Sequence, residues 1–323
     1  MRMEAKKIMC AVDFSDFTHM IISYGKSMAL EFDARLYLCH VVPTLMVSGH
    51  MPSYIDYAGI ERDHVRNARI RLEEIAEEFD IQCEIIVSVG HPADEIELAA
   101  QQNTIDMVIA ATNGGSGMIR FLAGSVTNKL VKILSCPLLV LHDDGRVSQK
   151  MERIKLNRIL VGCDFSPDSR LAFDYALSLA QEFQTRLYLA HVVSPMEPVE
   201  IMAPDPVMLE INPLSGWAGS GAEALEKSTD EAGQKRITWL KQIETRLLEL
   251  VPEDGRNWCT PVTVVLEGQP YQELIDYAGR INADMIVLGV RGHSLLEKFL
   301  VGSTTDRVIS RASCPVLAVR PIS

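Results

Sequence analysis

The chain has 323 residues, 47% of them hydrophobic and 23% charged, with a formal net charge of −12. That length suits about two globular domains, and the acidic balance excludes a broad nucleic-acid-binding face, which needs a basic surface. No apolar run approaches the ~18 residues of a membrane span. The opening MRMEAKKIMCAVDFSD lacks the apolar stretch of a secretory signal. Seven cysteines without a C-x-x-C spacing fit reduced thiols in the cytoplasm.

In chain order, the first apolar run is IMCAV, which ends on Asp13-Phe14-Ser15. LYLCHVV follows, then a helical pattern with Leu72, Ile75, Ala76 and Phe79 on one face. CEIIVSV, DMVIAA and PLLVL complete the set. Such short runs, mostly rich in β-branched residues, suit strands buried in a parallel sheet. The acids Glu73, Glu74, Glu77 and Glu78 lie mostly off the apolar helix face and read as solvated surface, not as a metal site.

The same elements then recur. KIMCAVDFSD at 7–16 matches RILVGCDFSP at 158–167, and ARLYLCHVVP at 34–43 matches TRLYLAHVVS at 185–194, both offset by 151 residues. VGHPADEI, IDMVIA and SCPLLVL match EGQPYQEL, ADMIVL and SCPVLAV with an offset of 178. A duplicated unit with about 27 extra residues in its second copy explains both offsets. The expected division is residues 1–145, a polar linker at 146–156, and residues 157–323 with an insertion at about 194–236. The insertion is rich in Pro, Gly and Met and reads as a long loop with a short helix late in it. Ile237, Leu240, Ile243, Leu247 and Leu250 then trace a helical face, and Ser166-Pro167 reads as a helix start.

Five strands alternating with four helices per copy predict an α/β fold: two open, doubly wound, five-stranded parallel sheets. Such sheets bind ligands beyond the carboxyl ends of their strands. The places to inspect follow Asp13 and Asp164, His40 and His191, and Ala110 and Leu288. After Leu288 comes GVRGHSLLEKFLVGSTTDRV. Gly289 and Gly292 allow close backbone approach, and Gly302-Ser303-Thr304 opens a helix whose free N–H groups hold an anion. Arg291 and His293 add positive charge. Together these parts would form a phosphate cradle; the alternative is a glycine-rich turn before an ordinary helix. The first copy has ATNGGSGMIRFLAGSVTNKL, in which Gly114, Gly124 and Ser125 keep the spacing while Ala111 replaces the first glycine.

The pattern G-x2-G-x9-G-[ST] after a strand, with D-F-S before it and S-C-P after it, resembles the universal stress protein family, twice over nearly the whole chain. The resemblance implies an adenine nucleotide alpha hydrolase-like sheet of strand order 3-2-1-4-5 in each half. Some members bind ATP or another adenine nucleotide and others do not; the ligand expected here is ATP, with Mg²⁺ as an accompanying ion. Asp164 and Asp13 would face the adenosine end, and backbone near Val192 and Val41 would bracket the base. Gly289, Gly292, Gly302 and Ser303, with Thr304 nearby, would hold the phosphates, as Gly114, Gly124 and Ser125 would in the first copy. It also implies pairing through the apolar last strands, PLLVLHD and PVLAVRP. These are expected sheet edges that invite partners, so an intramolecular pseudo-dimer and a homodimer of chains are both expected.

The expected role is a cytoplasmic stress-response protein acting as a sensor or regulatory module. An interaction scaffold without nucleotide, and a slow ATPase or small-molecule hydrolase, remain as alternatives. No Walker loop, G-x-S-x-G or H-E-x-x-H occurs, and no general base is visible beside the cradle. Four lesser candidates read structurally. His40 and His191 suit hydrogen-bonded positions at strand ends, Cys136 and Cys314 suit small buried groups, GSGAEA at 219–224 follows no strand, and the HDD at 142–144 matches linker polarity.

Overall fold

A computed structural model describes residues 5–44, 56–112, 124–142, 153–193, 221–253, 255, 259–291 and 301–321, with backbone alone for 221–232. The first half runs β1 (Lys7–Ala11), α1 (Thr18–Phe32), β2 (Arg35–Pro43), α2 (Tyr57–Glu78), β3 (Cys83–Gly90), α3 (Pro92–Asn103), β4 (Met107–Ala111), α4 (Ser125–Ile133) and β5 (Leu138–Leu141). The second half repeats it as β6 (Arg158–Gly162), α5 (Pro167–Glu182), β7 (Arg186–Val193), α6 (Gly221–Glu249), β8 (Thr260–Glu267), α7 (Pro270–Ile281), β9 (Met285–Gly289), α8 (Ser303–Arg311) and β10 (Val316–Val319).

The ten strands form one sheet in the order β3-β2-β1-β4-β5-β10-β9-β6-β7-β8. Each half is parallel with order 3-2-1-4-5, so its strand order reverses between the first and fourth strands. The seam is antiparallel: β5 meets β10 with Leu139 opposite Leu317, flanked by Val140 opposite Val316 and Leu138 opposite Ala318. Leu139 and Leu317 are equivalent positions of the repeat, so a pseudo-twofold axis passes through this pair. The two halves therefore form an intramolecular pair with an isologous seam. The apolar last strands, edges within each half, become central and satisfy each other's backbone groups.

Burial follows from this arrangement. The inner strands lose solvent on both faces: Val108, Ile109, Leu139, Val140, Ile286 and Val287 are fully buried. One apolar layer packs α1, α2, α5 and α6 against one face of the sheet, and a second packs α3, α4, α7 and α8 against the other. Because equivalent helices of both halves share a face, the pseudo-twofold axis stands perpendicular to the sheet. The antiparallel seam then points the carboxyl ends of the two halves' strands in opposite directions, so the candidate site edges lie at opposite ends of the sheet.

Helix α6 differs from expectation. It is 29 residues long and its backbone begins at Gly221, within the stretch read as mostly loop. Its buried stripe is Trp239, Ile243 and Leu247, spaced by four and continued by Val251 just past the helix end, while Ile237 is 48% exposed. Ile237 stands two residues before Trp239 and so falls on the opposite side of the helix. Among the described residues no helix is long and apolar enough to cross a membrane.

Candidate functional site

The turns after β1 and β6 carry the two aspartates. Phe14 and Phe165 sit there at φ 61° and 62°, a left-handed conformation that bulky side chains avoid. The cost, about 1–3 kcal/mol at each position, is offset by the same cage in both halves. The Phe14 ring stacks on His40 at 4.3 Å and carries Arg71 of α2 at 4.3 Å from its centroid. Phe165 stacks on His191 at 5.0 Å and carries Arg246 of α6 at 4.1 Å. Each histidine donates its Nδ1–H to a carbonyl at the end of the first strand, His40 to Val12 at 2.7 Å and His191 to Cys163 at 2.6 Å. Burial pushes His40 below its usual value, outweighing the raising effect of its hydrogen bond to Val12. The reversal turns each aspartate into a compact bend: Asp13 Oδ1 accepts from Ser15 N at 3.0 Å, and Asp164 Oδ1 from Ser166 N at 2.9 Å. Asp13 is exposed and Asp164 half-buried.

The candidate cradles are the first turns of α4 and α8. Their N-caps are Gly124 and Gly302, and neither helix start receives a side-chain cap. The N–H groups of Ser303, Thr304 and Thr305 thus begin α8 as the orphan donors that favour an anion. Each helix is pinned at two points. Thr127 Oγ1 donates to Ala111 O at 2.6 Å and Thr305 Oγ1 to Gly289 O at 2.7 Å. Gly124 N donates to Thr112 O, and Gly302 N to Val290 O at 2.7 Å.

In the second half these parts surround one cavity of about 310 Å³, within the size range of small-ligand sites. Of the residues singled out in the sequence, Asp164, Val192, Gly289, Arg291, Gly302, Ser303 and Thr304 line it. Pro270, Leu274 and Leu288 add an apolar wall. In the first half Asp13, Val41, Gly124 and Ser125 occupy the equivalent places, with Val41 buried and Ser125 exposed. Gly114, Gly292 and His293 lie outside the described residues.

Several features were not read from the sequence. Gly289 has a packing role: a Cβ there would stand 2.7 Å from both the carbonyl carbon and oxygen of Asp168 in the first turn of α5. Asp168 stands behind the lining, its Oδ2 accepting at 3.1 Å from the amide of Arg291, which does line the cavity. Asp306 adds a further acid in the first turn of α8, whereas α4 has none in its first turn. The repeat does hold signals for part of this, since Thr127 and Thr305 recur at the offset of 178 and stand three residues beyond each N-cap glycine. The Arg71 and Arg246 stacks leave only a faint mark, an arginine directly before a fully buried leucine, Leu72 or Leu247.

The cysteines are packing groups. All seven are free, and burial raises Cys136, Cys163 and Cys314 to about 12. Among the described residues no group of three His, Cys, Asp or Glu side chains is placed to hold a metal ion.

A duplicated sheet of this order, with an uncapped glycine-led helix at each switch point, defines a doubly wound α/β architecture, a class whose ligand sites lie at such switch points. The model of the universal stress protein family matches residues 4–142 and again 155–320, and the chain belongs to that family. Universal stress protein Rv2005c of Mycobacterium tuberculosis is 24% identical over 322 residues, spanning 97% of this chain and 96% of that one. Universal stress protein MJ0531 of Methanocaldococcus jannaschii is 29% identical over 165 residues, 50% of this chain and 81% of its own. Among solved structures, a universal stress protein from Archaeoglobus fulgidus superposes with a TM-score of 0.63 at 19% identity, covering 99% of this chain and 98% of that one.

Proposed function

We propose that the chain is a stress-response module that binds an adenine nucleotide, ATP with Mg²⁺, and acts as a cytoplasmic sensor or regulator. The observation that carries this reading is the second-half cavity, where the uncapped start of α8 and an apolar wall face each other. Val192, Leu274 and Leu288 suit a flat base, Asp164 suits ribose or base donors, and the backbone of Gly302 to Thr305 suits phosphate. Mg²⁺ would supply positive charge between the triphosphate and the carboxylates of Asp164 and Asp168. The first half keeps the helix start and Asp13, and takes the same ligand.

The test is calorimetry of the full chain with ATP and ADP, with and without Mg²⁺, beside mass spectrometry of small molecules released from the purified protein. Micromolar binding, about −8 kcal/mol, that Gly292→Val or Gly302→Val abolishes is the expected result. No heat from either nucleotide, with nothing released, overturns it.

One observation favours a second reading, a scaffold without nucleotide. Asp168 already takes the Arg291 amide and Asp306 sits in the first turn of α8, so the second cradle meets a phosphate with two carboxylates nearby. Asp168→Asn separates the two: it strengthens binding of Mg²⁺-free ATP if the cradle takes phosphate, and changes nothing if the cleft is unused. Assembly into a homodimer belongs to the same proposal and is read by light scattering at several concentrations.

A further inference from the structure

The ends of the two cradle helices away from the candidate sites are held from across the seam. His142 follows β5 of the first half, is 6% exposed, and donates Nε2–H to Ile309 O of α8 at 2.7 Å. Arg320 follows β10 of the second half and donates to Val131 O of α4, with a further contact to Lys132 O at 3.3 Å. The pairs are related by the repeat: His142 and Arg320 are equivalent positions, as are Val131 and Ile309, each offset by 178. Both acceptors are carbonyls near helix C-termini, which have no intrahelical partners and carry the negative end of the helix dipole. Both helices are only nine residues long, too short to hold their geometry without tertiary support.

The charges around Arg320 tie this lock to the second-half site. Arg291, Glu97 and Asp168 all act on the Arg320 guanidinium, and Asp168 is the acceptor of the Arg291 amide at the cavity rim. Val290 N, which opens that loop, donates to Val319 O, one residue before Arg320.

We infer that the two candidate sites are mutually supported: His142 of the first half positions the cradle helix of the second, and Arg320 of the second half positions that of the first. Each is a positioning residue that acts on the opposite site through a helix. The inference rests on the reading of the helix starts as ligand cradles, but its physical core, cross-capping, is measurable without any ligand.

Hydrogen exchange on the full chain without nucleotide is the first arm. Arg320→Met is expected to speed exchange of the α4 amides about tenfold, the effect of losing ~1.4 kcal/mol, and to leave α8 within about twofold. His142→Leu is expected to do the reverse. Arg320→Lys and His142→Gln, which keep a donor, restore the slow rates. Equal acceleration of both helices, or none in the opposite helix, overturns the inference. The second arm labels the protein with 8-azido-ATP and assigns the label to peptides of each half. Arg320→Met is expected to lower labelling of the first half about tenfold and to change the second half, whose Arg291 and Asp168 it faces, by less; His142→Leu is expected to lower labelling of the second half about tenfold with the first unchanged, each rescued by its conservative variant. Loss confined to the variant's own half overturns the inference. If the unmodified protein takes no label in either half, the nucleotide reading falls and hydrogen exchange alone decides the cross-capping.

Discussion

Replacing Gly289 with alanine sets two opposed effects against each other at one atom. At a compatible position the change would stabilise by about 0.4–1 kcal/mol, because alanine restricts the unfolded chain. Here the new methyl lies 2.7 Å from the carbonyl carbon and oxygen of Asp168 and 2.9 Å from its Cβ. Two of those atoms are backbone in the first turn of α5, so no rotamer change relieves the contact. Overpacking of this kind costs about 1–3 kcal/mol, so the net expectation is a loss of about 0.5–2 kcal/mol. The first half already holds Ala111 at this place, where α1 begins at Thr18, two positions later in the repeat than α5 at Pro167. Ala111→Gly therefore relieves no clash and loses only about 0.5–1 kcal/mol of backbone entropy. Urea unfolding without nucleotide, followed by tryptophan fluorescence, reads the Gly289 effect directly, since Trp217, Trp239 and Trp258 all belong to the second half. A Gly289→Ala protein as stable as the parent, or more so, would refute the packing account and return Gly289 to a purely ligand-driven role.

Thr305→Val removes a buried hydroxyl that donates to Gly289 O at 2.7 Å. It should cost about 1–3 kcal/mol through the stranded carbonyl, again by urea unfolding, with Thr127→Val giving a similar loss. Burial lowers His142 and His40 from their ordinary 6.5. The unfolded chain therefore takes up protons below about pH 6.5 that the native state refuses, and stability must fall as pH drops through that range. His142→Gln should flatten the slope of unfolding free energy against pH between about 6.5 and 5; an unchanged slope would clear His142 of the effect. Of the seven thiols only Cys83 is not buried. An aromatic disulfide reagent at pH 8 should modify Cys83 first in the native protein and the other six only as fast as the fold opens. Equally fast modification of Cys163 would contradict its burial.

Much of this architecture is visible in the chain because it is written twice. The offsets of 151 and 178 locate the strands, and short apolar runs such as DMVIAA identify those buried on both faces. Local patterns serve where one element decides: Ser166-Pro167 starts α5, with the Ser166 hydroxyl accepting from Ser169 N at 3.2 Å. They fail where the partner is distant in sequence. The stripe of α6 was misplaced at Ile237 because spacing alone does not say which of two apolar sets meets the sheet. The clash that forbids a side chain at Gly289 involves Asp168, 121 residues away, and no local rule anticipates it. The cages around Phe14 and Phe165 combine three elements each, and the left-handed turn at a phenylalanine runs against every local preference.

The seam between β5 and β10 has an evolutionary corollary. Two separate copies of a chain joined by a twofold axis must present the same residue on both sides of every contact. Joined in one polypeptide, the halves escape that constraint, and this molecule has used the freedom where it matters to the helices: histidine caps one and arginine the other. One support is a neutral donor whose charge depends on acidity, and the other is a permanent cation. The second half's helix therefore rests on an imidazole that burial keeps neutral, and the first half's on a fixed charge, so covalent duplication has let two equivalent helix ends take chemically different supports.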